Sequence, residues 1–201
     1  MLINFVRRMA LGCVVLVSGC ALTTERIDLN YTPQIAPQII PGADEIAVAV
    51  QVIDDRQDKT KVSSKKNGYG MEMAPIIANE DVSVTVRKAI ETELRNRGFK
   101  LEDAAAIVRV VADITRFYND HKTGFFSGDA IADLNMSVNV KPKNGAALYD
   151  RQIVAQGIEA NTQLATGNNA RIALDKALQD GMAKLFGDTD FVAALKKAAK
   201  N

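Results

Sequence analysis

His121 carries the side chain best suited to acid–base or metal chemistry, since it is the single histidine among 201 residues. Asp120 precedes it and Asp129 follows in the same predicted loop, so an imidazole could meet two carboxylates there. A lone histidine with no cysteine or second histidine nearby is more often a solvated loop residue. No serine lies in a nucleophile elbow, and the two serines and two lysines at 63–66 are interpreted as a polar loop. We therefore predict no catalytic residue, no metal and no cofactor.

Four charged residues are candidate contacts for a binding partner: Asp54, Arg56, Lys65 and Lys66. Asp54 and Arg56 follow a predicted strand, where they could bind an anion or a peptide, or form an ion pair that holds the next loop. The lysines at 59, 61, 65 and 66 could meet a phosphate-bearing headgroup or an acidic partner. A run of charges in a loop is usually only solvated, which is the alternative.

Phe125 and Phe126 are the other candidate contacts, because two adjacent aromatic residues in a predicted hairpin loop cannot easily face the same core. Burial of each side chain is worth about 1.5–3 kcal/mol, so exposure would be costly unless a partner or a membrane covers them. The alternative is that both fold back over the edge of the sheet.

Cys20 ends a segment with the layout of a secretory signal: two arginines, an apolar run at 9–17, then small residues. The apolar run is too short to span a bilayer, which takes about 20 residues. Residues 1–19 are therefore predicted to be a signal peptide. A cysteine directly after Ser18 and Gly19 resembles the lipobox of bacterial lipoproteins. The resemblance implies cleavage before Cys20 and acylation, with palmitate among the chains, of its thiol and its new amino group.

The residue after Cys20 is Ala21, and not the aspartate that in many lipoproteins favours the inner membrane. The anchor is therefore predicted to lie in the outer membrane, with the protein on the periplasmic face. Without residues 1–19 the chain has 23 basic and 24 acidic side chains, which gives no attraction to nucleic acid. Cys20 is then the only cysteine, which excludes an internal disulfide. The absence of tryptophan argues against a stacking platform for sugars or bases.

Residue patterning predicts a tether followed by one domain. Residues 20–43 carry three prolines and are predicted to be the lipidated cysteine and an extended tether, although isoleucines at 35, 39 and 40 could pack on the domain. The domain is predicted at 44–201. Alternation of apolar and polar residues predicts strands at 45–53, 107–117, 130–141 and 147–161. Helical spacing predicts helices that begin after Asn79 or Asp81, at 168–186 and at 189–199, with long loops at 54–78 and 118–129.

The last two predicted strands form a hairpin whose register follows from its turn. Asparagine and glycine at 144–145 are the pair that a type I′ turn prefers. With that turn, Met136 faces Ile153 and Ser137 faces Gln152, so apolar residues share one face and polar residues the other. Arg151, opposite an apolar residue, is the exception, and it could reach water at an edge of the sheet. Small residues at 132, 155 and 157 predict close packing of a helix on this hairpin.

The predicted fold is α+β: a two-layer sandwich with one four-stranded mixed sheet, in the order β-α-β-β-β-α-α, and helices on one face. The pattern as a whole resembles the YajG-like lipoproteins of Gram-negative bacteria. The lipobox, the proline-bearing tether, the runs at 52–56 and 97–99 and the long hairpin before a helical tail carry this resemblance. It implies a fold and a place in the envelope, without a defined activity.

We expect a non-enzymatic binding or assembly module, joined to the membrane through Cys20, for another envelope protein or a glycan. A hydrolase of peptidoglycan or lipid, and a lipid carrier with a wide apolar cavity, are the alternatives.

Overall fold

Residues 22–33, 37–124 and 127–200 are described by the computed structural model, and this part of the chain forms two sheets and three α-helices. The strands are β1 (Glu25–Ile27), β2 (Ala47–Asp54), β3 (Ser63–Lys66), β4 (Glu72–Ala78), β5 (Lys100–Leu101), β6 (Val108–Thr123), β7 (Gly128–Pro142) and β8 (Tyr149–Thr162). The helices are α1 (Val82–Asn96), α2 (Gly167–Gly187) and α3 (Thr189–Ala198). The candidate residues Cys20, Phe125 and Phe126 lie outside the described residues.

The larger sheet has the strand order β5-β2-β6-β7-β8. β2 is parallel to both β5 and β6, with α1 in the crossover between β2 and β6, while β6, β7 and β8 are antiparallel. Alternate residues of β7 are fully buried beneath the helices, because the apolar side of the strand faces the core. Tyr149 of β8 packs edge-on against Phe191 of α3, with ring centroids 5.5 Å apart. The α+β class is confirmed, with the helices on the apolar face of this sheet.

The predicted single four-stranded sheet is wrong. β5 adds a fifth strand beside β2, and β1, β4 and β3 form a second sheet in that order. Two of these strands lie in the segment 54–78 that was predicted to be a loop. β3 reads Ser-Ser-Lys-Lys and β4 contains Pro75, so neither has the alternation or the composition of a typical strand. Both strands form because they pair with each other and cover the far half of β6.

The predicted loop at 118–129 is also wrong, since β6 and β7 extend through most of it. A β-bulge after Ile114 moves the buried positions of β6 from even to odd residue numbers, so Ile114 and Phe117 are both fully buried. The next buried positions are Asn119 and His121, which are polar. Alternation of apolar and polar residues does not predict this half of β6, because the bulge shifts the alternation by one residue and the next buried residues are polar.

The predicted register of the β7–β8 hairpin is confirmed, with Met136 opposite Ile153 and Ser137 opposite Gln152. Arg151 lies opposite a buried valine, as predicted, and its guanidinium reaches Asp190 at 2.9 Å. The turn and the apolar pattern are therefore sufficient to define the pairing of β7 with β8.

Close packing of α2 on the hairpin is confirmed at Gly157. A Cβ atom on this residue would lie 2.1 Å from the carbonyl oxygen of Ala173 and 2.3 Å from the amide nitrogen of Ala177. Only a residue without a side chain allows the backbones to approach so closely. The helix and sheet layers are therefore in direct contact here.

The three predicted helices are confirmed, with ends within two residues of those expected. α1 begins directly after Asp81. Thr166 caps α2 by accepting a hydrogen bond from the amide of Asn169, and Asp188 caps α3 through the amide of Asp190.

Part of the predicted tether packs on the domain. β1 pairs in parallel with β4, and Ile27 is buried. The amide of Asn30 donates to the Asp175 carboxylate at 3.0 Å, and the Tyr31 hydroxyl donates to Glu93. Ile40 contacts the core, whereas Ile39 is mostly exposed.

Candidate functional site

Arg56 is a buried bridge between the end of β2 and the middle of β6. Its guanidinium donates to both carboxylate oxygens of Asp54 at 2.9 Å and to the carbonyl oxygens of Lys61 and Phe117 at 3.2 Å. Burial would raise the pKa of Asp54, but the hydrogen bonds and charge of Arg56 outweigh it and hold that pKa below its usual value. Most donors of Arg56 are thus engaged within the protein, which is the arrangement of the ion-pair alternative.

Lys65 and Lys66 connect β3 to neighbouring elements. Lys65 forms an ion pair with Glu25 of β1 at 3.2 Å. Lys66 donates to the Asp120 carboxylate at 2.5 Å, and both lysine side chains are largely buried. The two lysines thus bind Glu25 and Asp120, whereas Arg56 binds Asp54. The structure does not bring the four candidate residues into one binding surface.

His121 lies on the core-facing side of β6, with 5% of its surface exposed. Neither ring nitrogen has a hydrogen-bond partner among the described residues. Burial together with the charge of Lys66 lowers the pKa of the imidazole, against the opposing effect of Asp120. Its neighbour on the same face, Asn119, donates its side-chain amide to the hydroxyl of Ser63 at 2.9 Å. Among the described residues, no group of three or more metal-ligating side chains is close enough to hold a metal ion.

The β8 edge of the large sheet is covered by a row of side chains from α2. Lys184 donates to the carbonyl oxygen of Val154 and Lys176 to that of Ile158, both at 2.9 Å. Asp180 accepts from the amide of Gln156 at 3.1 Å. These three contacts occupy backbone groups that would otherwise be free to pair with another strand.

The opposite edge of the sheet is open beyond the end of β5. β5 pairs only with the start of β2, where Lys100 and Glu102 donate their amides to the carbonyl oxygens of Ile46 and Val48. Backbone groups of alternate residues in a strand point to the same edge, so those of Val50 and Val52 point past the end of β5. We refer to the part of β2 from Val50 to Asp54 as the open edge.

A groove of about 400 Å³ follows the open edge. Its apolar wall includes Val52 and the partly exposed Val84 of α1, and its polar wall includes Arg87, Asp103 and Arg109. Arg87 forms an ion pair with Glu91 at 2.6 Å and also interacts with the charge of Asp103. The groove thus follows the part of β2 beyond β5, between an apolar helix surface and charged side chains.

Arg109 lies on the solvent-facing side of β6, directly opposite Lys141 of β7 and directly beside Ala49 of β2. Within the described residues neither cation forms an ion pair. Like charges placed directly opposite each other in a sheet are unfavourable, so a negative charge placed beside these two cations would be favourable. No pattern in the sequence identifies this site, because alternation defines the faces of a strand and not which strand lies at an edge.

The comparisons with known proteins point to one family and to one shared fold. A family model described as an uncharacterized lipoprotein matches residues 33–196. No curated protein matches the sequence. A crystallised protein of Xanthomonas campestris is 12% identical, with 89% of this chain and 99% of that chain covered and a TM-score of 0.60, so the two share a fold.

Two other solved structures are similar over shorter parts of the chain. A protein of Chlamydia trachomatis is 11% identical, covers 78% of this chain and 99% of its own, and has a TM-score of 0.45. A minor lipoprotein of Acinetobacter baumannii is 10% identical, covers 69% and 88%, and has a TM-score of 0.39. In the described residues, no helix is both long and apolar enough to cross a membrane.

Proposed function

The chain belongs to the family of uncharacterized lipoproteins, and from this premise we propose that it is a non-enzymatic binding module, held in the outer membrane by lipid on Cys20. Membership of this family implies a membrane-anchored protein of the cell envelope. The choice of the outer membrane is supported by Ala21, and the periplasmic face by the predicted signal peptide. The module acts by holding another envelope component, for which a protein is the better supported class.

The open edge of β2 is the observation that carries this proposal. The sheet has two edges, and three side chains of α2 cover the backbone at β8, whereas the backbone of Val50 and Val52 has a groove beside it. Exposed strand edges are sites at which sheets recruit further strands, so proteins usually block them. A domain that blocks one edge and leaves the other accessible is suited to binding at the accessible edge.

Two features speak against the alternative functions. A hydrolase needs an accessible nucleophile or base, but Ser63 is fully buried and bonded to Asn119, and the ring nitrogens of His121 are buried. A lipid carrier needs a wide space between the layers, but α2 contacts the sheet directly at Gly157.

Photo-crosslinking in living cells tests the proposed function. A photoreactive amino acid replaces Val84, which faces the groove, in the full-length lipoprotein. The control replaces Val154 at the covered edge, which is 62% exposed against 38% for Val84, so random collisions favour the control. We expect one discrete adduct from position 84 and none from position 154. The absence of an adduct at 84, or the same adducts from both positions, would contradict binding at the groove.

A further inference from the structure

We propose that the open edge takes an extended polypeptide strand from a second envelope protein, with an apolar side chain toward Val84 and a carboxylate toward Arg109. This inference rests on the proposed function, and it names the class of partner and its mode of binding. Strand addition gives affinity through backbone hydrogen bonds and specificity through alternate side chains.

The backbone of β2 provides the first argument. β5 already pairs with β2 in the line of the groove, and its last contact is the amide of Glu102 with the carbonyl oxygen of Val48, at 3.2 Å. The backbone groups of Val50 and Val52 point to the same edge of β2 as those of Val48. An added strand would therefore pair with β2 directly after β5. Among the described residues, the last backbone bond of the β5 segment to β2 is the one to Val48, so an added strand could pair with the residues that follow.

The side chains beside the groove define what each face of the added strand should carry. On the core side, the strand would pass Val84, which is 38% exposed, and the partly exposed Val52. An apolar residue at this position would remove both from water. On the solvent side, the strand would lie next to Gln51, and Arg109 lines the same groove.

The charge of the groove favours an acidic strand. Arg109 faces Lys141 directly, and a carboxylate placed in the groove beside Arg109 would relieve their repulsion. Asp103 also lines the groove, but its charge interacts with Arg87 near the end of β5. A basic strand would add a third positive charge beside Arg109, so the sign of the charge should decide which strands bind.

A second copy of this chain fits the open edge poorly. Its β8 edge is already bonded to Lys176, Asp180 and Lys184, so that edge would have to be uncovered before it could pair with the open edge of another copy. A lipid headgroup could satisfy Arg109 and Lys141, but it offers no backbone for Val50 and Val52.

The test uses the full-length lipoprotein in detergent and three synthetic eight-residue peptides. The first alternates valine with glutamate, the second valine with lysine, and the third is the glutamate peptide with N-methylated backbone amides. We expect the glutamate peptide to bind and to slow hydrogen exchange at the amides of Val50 and Val52. The lysine peptide should bind at least about tenfold more weakly, and the methylated peptide should not bind.

Three variants connect the binding to the open edge. Val52→Pro removes an edge-facing amide without a bond to β6 and should abolish binding, whereas Val154→Pro, the same change at the covered edge, should not. Arg109→Glu should reverse the preference between the glutamate and lysine peptides. Thermal melting of each variant establishes whether it is folded. If a proline variant does not fold, Arg109→Glu, which changes only a surface residue, still tests the inference.

Several results would overturn the inference. Binding that is insensitive to Val52→Pro, or that leaves the amide of Val52 unprotected, would exclude strand addition. Competition by phosphatidylglycerol vesicles would indicate a headgroup site, and self-association that is lost in Val52→Pro would indicate a second copy. A cellular adduct at position 84 that persists in Val52→Pro would be consistent with the proposed function but would exclude strand addition as the mode of binding. No adduct and no peptide binding would remove both.

Discussion

At the scale of single residues, the polar groups that stand out in the sequence are mainly occupied within the structure. Asp54 and Arg56 hold the end of β2 to β6, and Lys65 and Lys66 hold β3 to its neighbours. Arg109, which nothing in the sequence distinguishes, lines the groove and forms no ion pair within the part of the chain that the structure describes. Whether a charged residue is available for a partner depends on which other charges the fold brings near it, and this cannot be read from its type.

His121 gives a prediction for the dependence of stability on pH. Its folded-state pKa is lowered by burial and by Lys66, so below about pH 6.5 the unfolded chain binds a proton that the folded chain does not. The free energy of unfolding should therefore fall as pH decreases from 7.5 to 6, by at most about 0.8 kcal/mol at pH 6. Urea titrations at these pH values measure it.

The control is His121→Leu, because His121 is the single histidine of the chain. This variant should lose the pH dependence between 7.5 and 6. Below pH 6 the protonation of Asp175 also contributes, because burial raises the pKa of its carboxyl group. This protonation has the opposite effect on stability. An unchanged slope in His121→Leu would show that another group titrates in this range.

At the scale of elements, the part of the fold that the sequence predicts is the part in which local rules agree. The turn at 144–145, the alternation of β7 and the small Gly157 all favour one hairpin, and its register is confirmed. β3 and β4 carry no such agreement, because their stability comes from contacts with β6 and with each other. The open edge depends on where β5 ends. The two residues of β5 form a strand only because they pair with β2, which the local sequence does not indicate.

The hairpin register predicts opposite effects of one substitution at adjacent positions. Met136→Lys would bury an unpaired charge at a fully buried site and should destabilise the fold by several kcal/mol. Ser137→Lys places the same residue on the solvent-facing side, opposite Asp113, and should change stability by less than about 0.5 kcal/mol. Unfolding midpoints in urea compare the two. Similar midpoints would contradict the assignment of faces.

The row of α2 side chains predicts a change in assembly. The double change Lys176→Ala and Lys184→Ala would uncover the carbonyl oxygens of Ile158 and Val154 along an edge strand with exposed apolar residues. We expect self-association in sedimentation velocity with little loss of stability. Removing Lys196 and Lys197 from α3 removes the same charge elsewhere and should leave the sedimentation unchanged. Identical behaviour of the two double variants would mean that charge alone prevents association.

At the scale of the whole molecule, the anchor predicts where the protein is found. Cys20→Ala should give a protein without lipid that leaves the outer-membrane fraction, because two or more acyl chains are needed for a stable hold. Cys13→Ala, within the predicted signal peptide, should fractionate as the unchanged protein does. Incorporation of labelled palmitate and membrane fractionation measure both variants. Retention of Cys20→Ala in the membrane with undiminished label would exclude the anchor.

If Cys20 carries the lipid, the parallel pairing of β1 with β4 would limit how far the domain can stand from the bilayer. Glu25 is the first residue of β1, and only four residues separate it from Cys20. Five consecutive Cα steps extend over at most about 17–18 Å. With the lipid on Cys20, the β1 end of the domain would lie near the membrane surface. Its partner would then have to meet it within one domain diameter of the lipid, and a distant component of the periplasm would be out of reach.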